Sequence, residues 1–207
     1  MAGAAGRREK KVQVEYMKTV VLWSSPNVDG LTAAAKNSFI SGLRACGVSD
    51  MEIEEIHLNR MKLNHCIACG NGFGNCKKDG VCVLKDDFEK IYEKLIEADG
   101  IVLVSAVYWH DMTECMKAFI DRLRRCETAH NHFLKGKRCF LIACAGGTGL
   151  GAIECLHQME ESIKHMGMRA YDRVPVIRFN QDYMIPALET AGKLYGQRIS
   201  DGFDMQY

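Results

Sequence analysis

Short apolar runs alternate along the chain with longer segments in which apolar residues recur at helical spacing. The short runs predict five buried strands, over residues 19–23, 51–58, 101–107, 138–144 and 168–177. Between and after them, apolar positions three and four apart predict amphipathic helices, over residues 31–43, 88–95, 112–123, 153–166 and 187–199. Polar residues interleave the second run, which is typical of a strand near a sheet edge.

Strands that alternate with helices predict βαβ units, and hence a parallel sheet covered by helices on both faces. At 207 residues, the favoured fold is a three-layer α/β, flavodoxin-like fold with a five-stranded parallel sheet in the order 2-1-3-4-5. The single domain is expected over residues 18–207, with a cysteine-rich insertion at 59–85 and a flexible N-terminal extension at 1–17. Ligands of such sheets bind where the strand order reverses, so the loops after the first, third and fourth strands form the candidate site.

Composition narrows the class of protein. Lys and Arg total 27 and Asp and Glu total 26, a net charge of +1, so no global field attracts nucleic acid or an anionic membrane. Charged residues at 7–11 replace the apolar core of a signal peptide, and no apolar run approaches the roughly 20 residues that span a bilayer. The ten cysteines are therefore expected in a reducing, cytoplasmic protein, as packing residues, metal ligands or reactive thiols.

The loop after the first strand, residues 24–32, has the features of a phosphate site. It brings hydroxyl and amide side chains and free backbone N–H groups to the N-terminus of a predicted helix, where an anion is favoured. It matches neither the Walker A nor the GxGxxG pattern, which argues against a nucleoside triphosphate. An ordinary capped turn explains the same residues equally well. The candidate cofactor-binding residues here are Ser25, Asn27, Gly30, Leu31 and Thr32.

Two further loops are expected at the same sheet edge. The third strand runs into two adjacent aromatic residues, which either pack on a flat heterocycle or form a hydrophobic lid over the next helix. The adjacent His110 is a weaker candidate for a hydrogen bond to substrate. The glycine-rich loop after the fourth strand offers bare amides for close approach to the same ligand. The candidates are Ser105, Ala106, Val107, Tyr108 and Trp109 in one loop, and Ala145, Gly146, Gly147 and Gly149 in the other.

Three stretches resemble the NADPH-dependent FMN reductases of the flavodoxin fold and their iron–sulfur flavoprotein branch: residues 19–32, Ser-Ala-Val-Tyr-Trp at 105–109, and Met-Lys-Ala-Phe-Ile-Asp-Arg at 116–122. That family's phosphate loop commonly reads Gly-Ser-Pro-Arg-x-x-Gly-Asn-Thr, and here Ser24, Asn27 and Leu31 replace its Gly, Arg and Asn. The resemblance implies that FMN binds with its phosphate on the first loop and its ring against the other two. It also implies NAD(P)H as electron donor and a homodimer or homotetramer as the active unit.

Four cysteines cluster in a glycine-rich stretch, at Cys66, Cys69, Cys76 and Cys82. Four thiolates suit a [4Fe–4S] cluster, and glycines let a chain wrap closely around it. Structural zinc also takes four cysteines, but the second Cys-x-x-Cys of a zinc ribbon is missing. Iron–sulfur flavoproteins carry a more compact run, so a cluster, zinc and metal-free thiols all stay open. The remaining cysteines are expected to be buried in the core: Cys46, Cys115, Cys126, Cys139, Cys144 and Cys155.

The expected function is that of an FMN-dependent oxidoreductase that passes electrons from NAD(P)H to a flavin, a quinone, another small acceptor or a redox protein. One alternative is an iron–sulfur flavoprotein that carries electrons with FMN and a cluster, and another is a non-catalytic α/β domain with structural zinc. Neither nucleic acid nor a membrane is an expected partner. His130 and His132 form an isolated H-x-H pair without partners nearby in sequence, and they are assigned no role.

Overall fold

The computed structural model describes residues 16–129 and 132–202, so most of the expected N-terminal extension lies outside the described residues, and Met17 already opens the first strand. In the described part of the chain, no helix is long and apolar enough to cross a membrane. The strands are β1 (Met17–Ser24), β2 (Met51–His57), β3 (Gly100–Tyr108), β4 (Asp111–Met112), β5 (Arg138–Ala145) and β6 (Arg169–Ile177). The helices are α1 (Leu31–Arg44), α2 (Asn75–Asp79), α3 (Phe88–Glu97), α4 (Glu114–Ala129), α5 (Ala152–Lys164) and α6 (Gln181–Ser200), with a 3-10 turn at Leu58–Arg60.

The five long strands form a parallel sheet in the order β2-β1-β3-β5-β6. Counted among the long strands alone, this order is 2-1-3-4-5, which confirms the predicted fold and places β2 at the edge. The prediction of five strands was incomplete, because β4 adds a two-residue strand antiparallel to β3. The chain reverses on itself at the carboxyl end of β3 before it enters α4.

Two hydrophobic layers cover the sheet. On one face α1 and α6 pack over the sheet, where Phe39, Phe140 and Tyr195 make ring contacts. These two helices cross so closely that a Cβ atom at Gly42 would lie 1.9 Å from the carbonyl oxygen of Glu189. On the other face α3, α4 and α5 bury a second apolar cluster. The resulting three layers leave the carboxyl edge of the sheet open to its loops.

Two predicted helix starts were wrong. Helix α4 begins at Glu114 rather than Met112, because the backbone of Met112 pairs in β4 and the Thr113 hydroxyl accepts a hydrogen bond from the Met116 N–H at 3.3 Å. Helix α6 begins at Gln181, six residues before the predicted start, and carries Pro186 in its interior. A proline removes one backbone donor and is a common helix breaker, which hid the first turns of α6 from the sequence pattern.

Candidate functional site

Buried hydrogen bonds join the loops after β1 and β3 at the carboxyl edge of the sheet. The Ser24 hydroxyl donates to Asn59 Oδ1 at 3.1 Å and is also hydrogen-bonded to the Thr113 hydroxyl. A hydroxyl has one proton to donate, so Thr113 is the donor in the second bond. The Thr113 backbone N–H in turn donates to Ser105 Oγ at 3.0 Å. Side chains from three separate segments therefore fix the two loops relative to each other.

The loop after β1 leaves the N-terminus of α1 open. Gly30 is the N-cap residue, no side chain caps the helix, and its first turn carries no acidic residue. The side chains of Ser25 and Asn27 shape the loop instead, since Ser25 Oγ and Asn27 Oδ1 each accept a backbone N–H two residues ahead at 3.3 Å. Thr32 is buried and Leu31 half-buried. The uncapped N–H groups of a 14-residue helix form a ready anion site.

The imidazole of His57 contacts the loop after β1, and the sequence pattern did not identify this residue. Its Nε2 is 2.8 Å from the carbonyl oxygen of Ser25, so this nitrogen carries the proton. The imidazole stacks on Trp23 with ring centroids 3.7 Å apart and an interplanar angle of 7°. The sequence offered one indication of this role, because His57 is the last residue of β2, the strand that pairs with β1.

The predicted aromatic loop is a two-residue hairpin turn between β3 and β4, with Trp109 and His110 at its tip. Both tip residues have positive φ angles, 47° and 69°, in a position that usually selects Asn-Gly. Holding non-glycine residues there costs on the order of 1 kcal/mol each. The Trp109 side chain is 98% exposed, and Tyr108 is 40% exposed. The strained turn thus holds an indole in solvent at the edge of the sheet.

The glycine loop after β5 and this turn enclose one cleft. The cleft has a volume of about 320 Å³ and is lined by Val107, Trp109 and His110 together with residues 145–150. No atom lies within 4 Å of where a Cβ would stand at Gly146 or Gly147. Residues of the first loop do not line this cleft. The structure therefore brings two of the three predicted loops to a shared cavity and places the third beside them.

The remaining candidates at this edge vary in exposure. Ser105 is fully buried, and its hydroxyl donates to the carbonyl oxygen of Ala106 at 2.8 Å, so this side chain stabilises the backbone that leads into the turn. Ala145 is also buried, whereas Gly149 is half-buried with a positive φ. His110 Nδ1 lies 4.0 Å from a carboxylate oxygen of Glu154 on the exposed surface.

The four clustered cysteines line one small cavity, together with a fifth from α4. The lining thiols belong to Cys66, Cys69, Cys76, Cys82 and Cys126. The space between them measures about 20 Å³, room for about one water molecule, so a larger group requires the loop to move outward. Burial, followed by the charges of Cys82 and Cys76, raises the pKa of Cys126 to about 12. Cys126 is therefore a protonated thiol at neutral pH.

Arg122 reaches the same cavity from α4 and is held by Asp86. The guanidinium is 1% exposed, donates two hydrogen bonds of 2.8 Å to the carboxylate, and donates a third to the carbonyl oxygen of Asn64 at 3.0 Å. Burial alone would raise the pKa of Asp86, but hydrogen bonds from Arg122 and Asn64 outweigh it and hold this pKa well below its usual range. Of the two N–H groups of Arg122 not used in these bonds, the one on Nε is buried without a hydrogen-bond partner of good geometry.

This donor set is compatible with a cluster. Within residues 16–129 and 132–202, no three His, Cys, Asp or Glu side chains are placed to hold one metal ion, whereas thiolates on a single zinc lie about 3.8 Å apart. A [4Fe–4S] cluster takes one thiolate per iron, so it does not require that convergence. Four thiols, an unpaired buried N–H donor and a lining without carboxylates suit an anionic cluster.

The other five cysteines do not form a second group at this cavity. Cys46, Cys139, Cys144 and Cys155 are buried, as predicted, but Cys115 is only half-buried. Burial raises the pKa of Cys144 and of Cys155 to about 12. Of the H-x-H pair, His130 lies outside the described residues.

The three layers, with a cleft at the carboxyl edge of the sheet beside the point where the strand order reverses between β1 and β3, define a flavodoxin-like α/β protein. Solved structures share this fold. A WrbA-like flavodoxin from Agrobacterium tumefaciens aligns with a TM-score of 0.59 at 13% identity, over 90% of this chain and 96% of that chain. An NAD(P)H:quinone oxidoreductase from Methanothermobacter marburgensis aligns with a TM-score of 0.65 at 15% identity, over 93% and 100% of the two chains.

Sequence comparison gives the family. The sequence model of NADPH-dependent FMN reductase matches residues 17–181. An iron–sulfur flavoprotein from Archaeoglobus fulgidus is 30% identical over 199 residues, 92% of this chain and 82% of that protein. Another, from Methanocaldococcus jannaschii, is 32% identical over 144 residues, 68% and 69% of the two chains. The chain belongs to the NADPH-dependent FMN reductase family, close to its iron–sulfur flavoproteins, and it is a flavin oxidoreductase.

Proposed function

We propose that the chain binds FMN at the carboxyl edge of its sheet and takes electrons from NAD(P)H. The observation that carries this proposal is the pairing of an uncapped helix N-terminus with an adjacent cleft lined by bare glycine amides. The first suits a phosphate, and the second suits a flat ring approached closely by backbone. The two lie side by side where the strand order reverses, which is the position of ligands in this class of sheet.

Each part of the edge has a distinct task in this proposal. FMN, when bound, supplies the hydride chemistry. The N–H groups of the first turn of α1 hold the phosphate, and the amides of Gly146 and Gly147 fix the position of the ring. The indole of Trp109 covers the ring and excludes water. Burial, followed by the charges of Glu114 and Cys115, raises the pKa of Tyr108, so its phenol stays protonated and able to donate.

Flavin binding tests this proposal directly. The purified protein is expected to carry or take up one FMN per chain, measured by absorbance and by release of the flavin. Trp109→Ala should weaken FMN binding about tenfold, because an aromatic stacking contact contributes roughly 1 kcal/mol beyond area burial. Phe133→Ala is the control, since Phe133 is an exposed aromatic beside Lys135–Arg138 in a separate cleft. Absence of bound flavin after reconstitution would overturn the proposal.

A second candidate function is supported by the cysteine cavity. We propose that Cys66, Cys69, Cys76 and Cys82 hold a [4Fe–4S] cluster, because the fold brings all four thiols to one cavity despite their wide spacing in sequence. The cluster would supply one-electron transfer. The chain would then exchange electrons with a redox protein as well as, or instead of, a small acceptor.

Iron and sulfide analysis after anaerobic purification tests the cluster. About four irons and four sulfides per chain are expected, and Cys69→Ala should lose most of them. Cys126→Ala tests the assignment of the fifth thiol and should retain iron, while Cys139→Ala in β5 is a buried control. Zinc in place of iron would contradict the cluster. Rapid NAD(P)H oxidation with a small acceptor favours the enzyme, whereas a cluster with negligible turnover favours the electron carrier.

A further inference from the structure

One nitrogen of Arg122, Nε, is buried without a hydrogen-bond partner of good geometry, although the Cys82 thiol interacts with the guanidinium. Its Nη1 and Nη2 atoms are committed to Asp86 and to the Asn64 carbonyl, and the guanidinium stacks over the Phe88 ring at 4.3 Å. Leaving a buried donor without an acceptor is unfavourable, and more so when the group is charged. Such an atom beside a lining of thiols, apolar groups and the Arg125 side chain indicates a missing acceptor.

The acceptor that the cavity suggests is sulfur. Arg122 lines the space between the four clustered cysteines, and no carboxylate lines it. Asp86 neutralises the Arg122 charge from outside that lining, while Arg125 adds a second guanidinium to it. Arg125 donates to the carbonyl oxygen of Gly72 and stacks on Phe73 at 4.7 Å. The wall of the cavity is therefore positive, which suits an anion.

We propose that Arg122 donates its Nε–H to sulfur of a [4Fe–4S] cluster held by Cys66, Cys69, Cys76 and Cys82, and that it thereby raises the reduction potential of the cluster. This inference rests on the cluster proposed above. Hydrogen bonds to sulfur and nearby positive charge stabilise the more negative, reduced form of a cluster. Asp86 acts as a positioning residue, because its bidentate contact fixes the direction in which Nε points.

The test is a redox titration of the cluster in anaerobically purified variants, followed by electron paramagnetic resonance. R122K keeps a positive charge but removes the Nε–H and the bidentate fork. The ratio of reduced to oxidised cluster at a fixed solution potential should fall about tenfold, equivalent to about 59 mV for a one-electron couple. R124K is the matched control, since Arg124 is an exposed arginine on the same helix, and its ratio should change less than twofold.

D86E tests the positioning role of Asp86. It keeps the negative charge but displaces the bidentate carboxylate that orients Arg122, so the ratio of reduced to oxidised cluster should fall. A loaded R122K protein with an unchanged ratio would overturn the inference while leaving the cluster in place, whereas a wild-type protein without iron and sulfide would overturn both. If R122K loses its iron or fails to fold, D86E decides, and an unchanged ratio there rejects the inference.

Discussion

At the scale of single residues, Thr113 has a structural role that its sequence context does not reveal. Its hydroxyl caps α4 by accepting the Met116 N–H, and it donates to Ser24 at the end of β1. Its backbone N–H holds the Ser105 hydroxyl. All of these groups are buried, so each must find its partner inside the protein. One threonine thus ties the first loop, the aromatic turn and α4 together.

Thr113→Val should destabilise the protein by about 1–3 kcal/mol, because it removes a helix cap and leaves a buried hydroxyl with one partner fewer. Thr128→Val on the same helix is the control, since the Thr128 hydroxyl is exposed and donates to the Arg124 carbonyl in the preceding turn. Denaturant unfolding of both variants measures the difference. Equal free energies of unfolding for the two would contradict the role of Thr113. FMN affinity should fall with Thr113→Val as well.

At the scale of elements, the glycine loop and the aromatic turn fit against each other at one point. A Cβ at Gly151 would lie 2.6 Å from the Cα of His110, and Gly151 has a φ of +83°. Neither the backbone of His110 nor the φ angle of Gly151 can change without a large cost in free energy, so glycine is required at position 151. Gly147, four residues earlier, faces open space. The two glycines look alike in the sequence but have different structural roles.

Gly151→Ala should lower the free energy of unfolding by about 2–4 kcal/mol, through the unfavourable φ and the clash with the turn. Gly147→Ala should leave stability within about 1 kcal/mol of wild type, although it brings a methyl group toward the proposed ring site and should weaken FMN binding. Thermal or denaturant unfolding separates the two effects. A stable Gly151→Ala protein would show that the turn and the loop are not in contact.

The periodicity of the sequence was sufficient to predict the long strands and helices, but not the short segments that form the site. The buried runs at 19–23 and 101–107 have one pattern over their whole length, so they predicted β1 and β3. The two-residue β4 is too short to have a period, and the turn at Trp109 and His110 lacks the Asn-Gly signal of its type. The roles of His57 and Arg122 depend on contacts between segments distant in sequence, which no local pattern records.

The packing of α5 on β6 includes an ion pair that makes stability depend on pH. Arg173 on β6, with help from Lys164, lowers the pKa of Glu160 to about 2 against a partly opposing effect of burial. A depressed folded-state pKa stabilises the protein above the ordinary value of 4.5, and this contribution is lost as pH falls from there toward 2. Glu160→Gln should therefore cost roughly 2–3 kcal/mol at pH 7 and progressively less in acid. Unfolding of both proteins between pH 7 and pH 3 measures this, and a difference independent of pH would contradict it.

At the scale of the whole molecule, α4 connects the two proposed cofactor sites. Its cap, Thr113, belongs to the sheet edge, and Arg122, nine residues later, belongs to the cysteine cavity, a separation of about 14 Å along the helix. Asn59, which is hydrogen-bonded to Ser24 at the sheet edge, is the first residue of the cysteine-rich insertion at 59–85, the cysteine stretch. The two sites therefore share a rigid frame, while the cysteine stretch itself has little regular structure beyond the five-residue α2.

This difference predicts a localised response to loss of the cluster. Both apolar layers are built mainly from the sheet and the long helices, so the sheet should remain folded without iron. The cysteine stretch would lose its thiolate anchors, and the exposed Lys77 and Lys78 should become sensitive to trypsin. Limited proteolysis of loaded and chelator-treated protein, with cut sites read by mass spectrometry, measures this. Cys69→Ala should be cut like the chelated protein and Cys139→Ala like the loaded one. Equal cutting of the loaded and cluster-free forms would show that the metal does not order the stretch, and general digestion of the cluster-free form would show that the sheet depends on it.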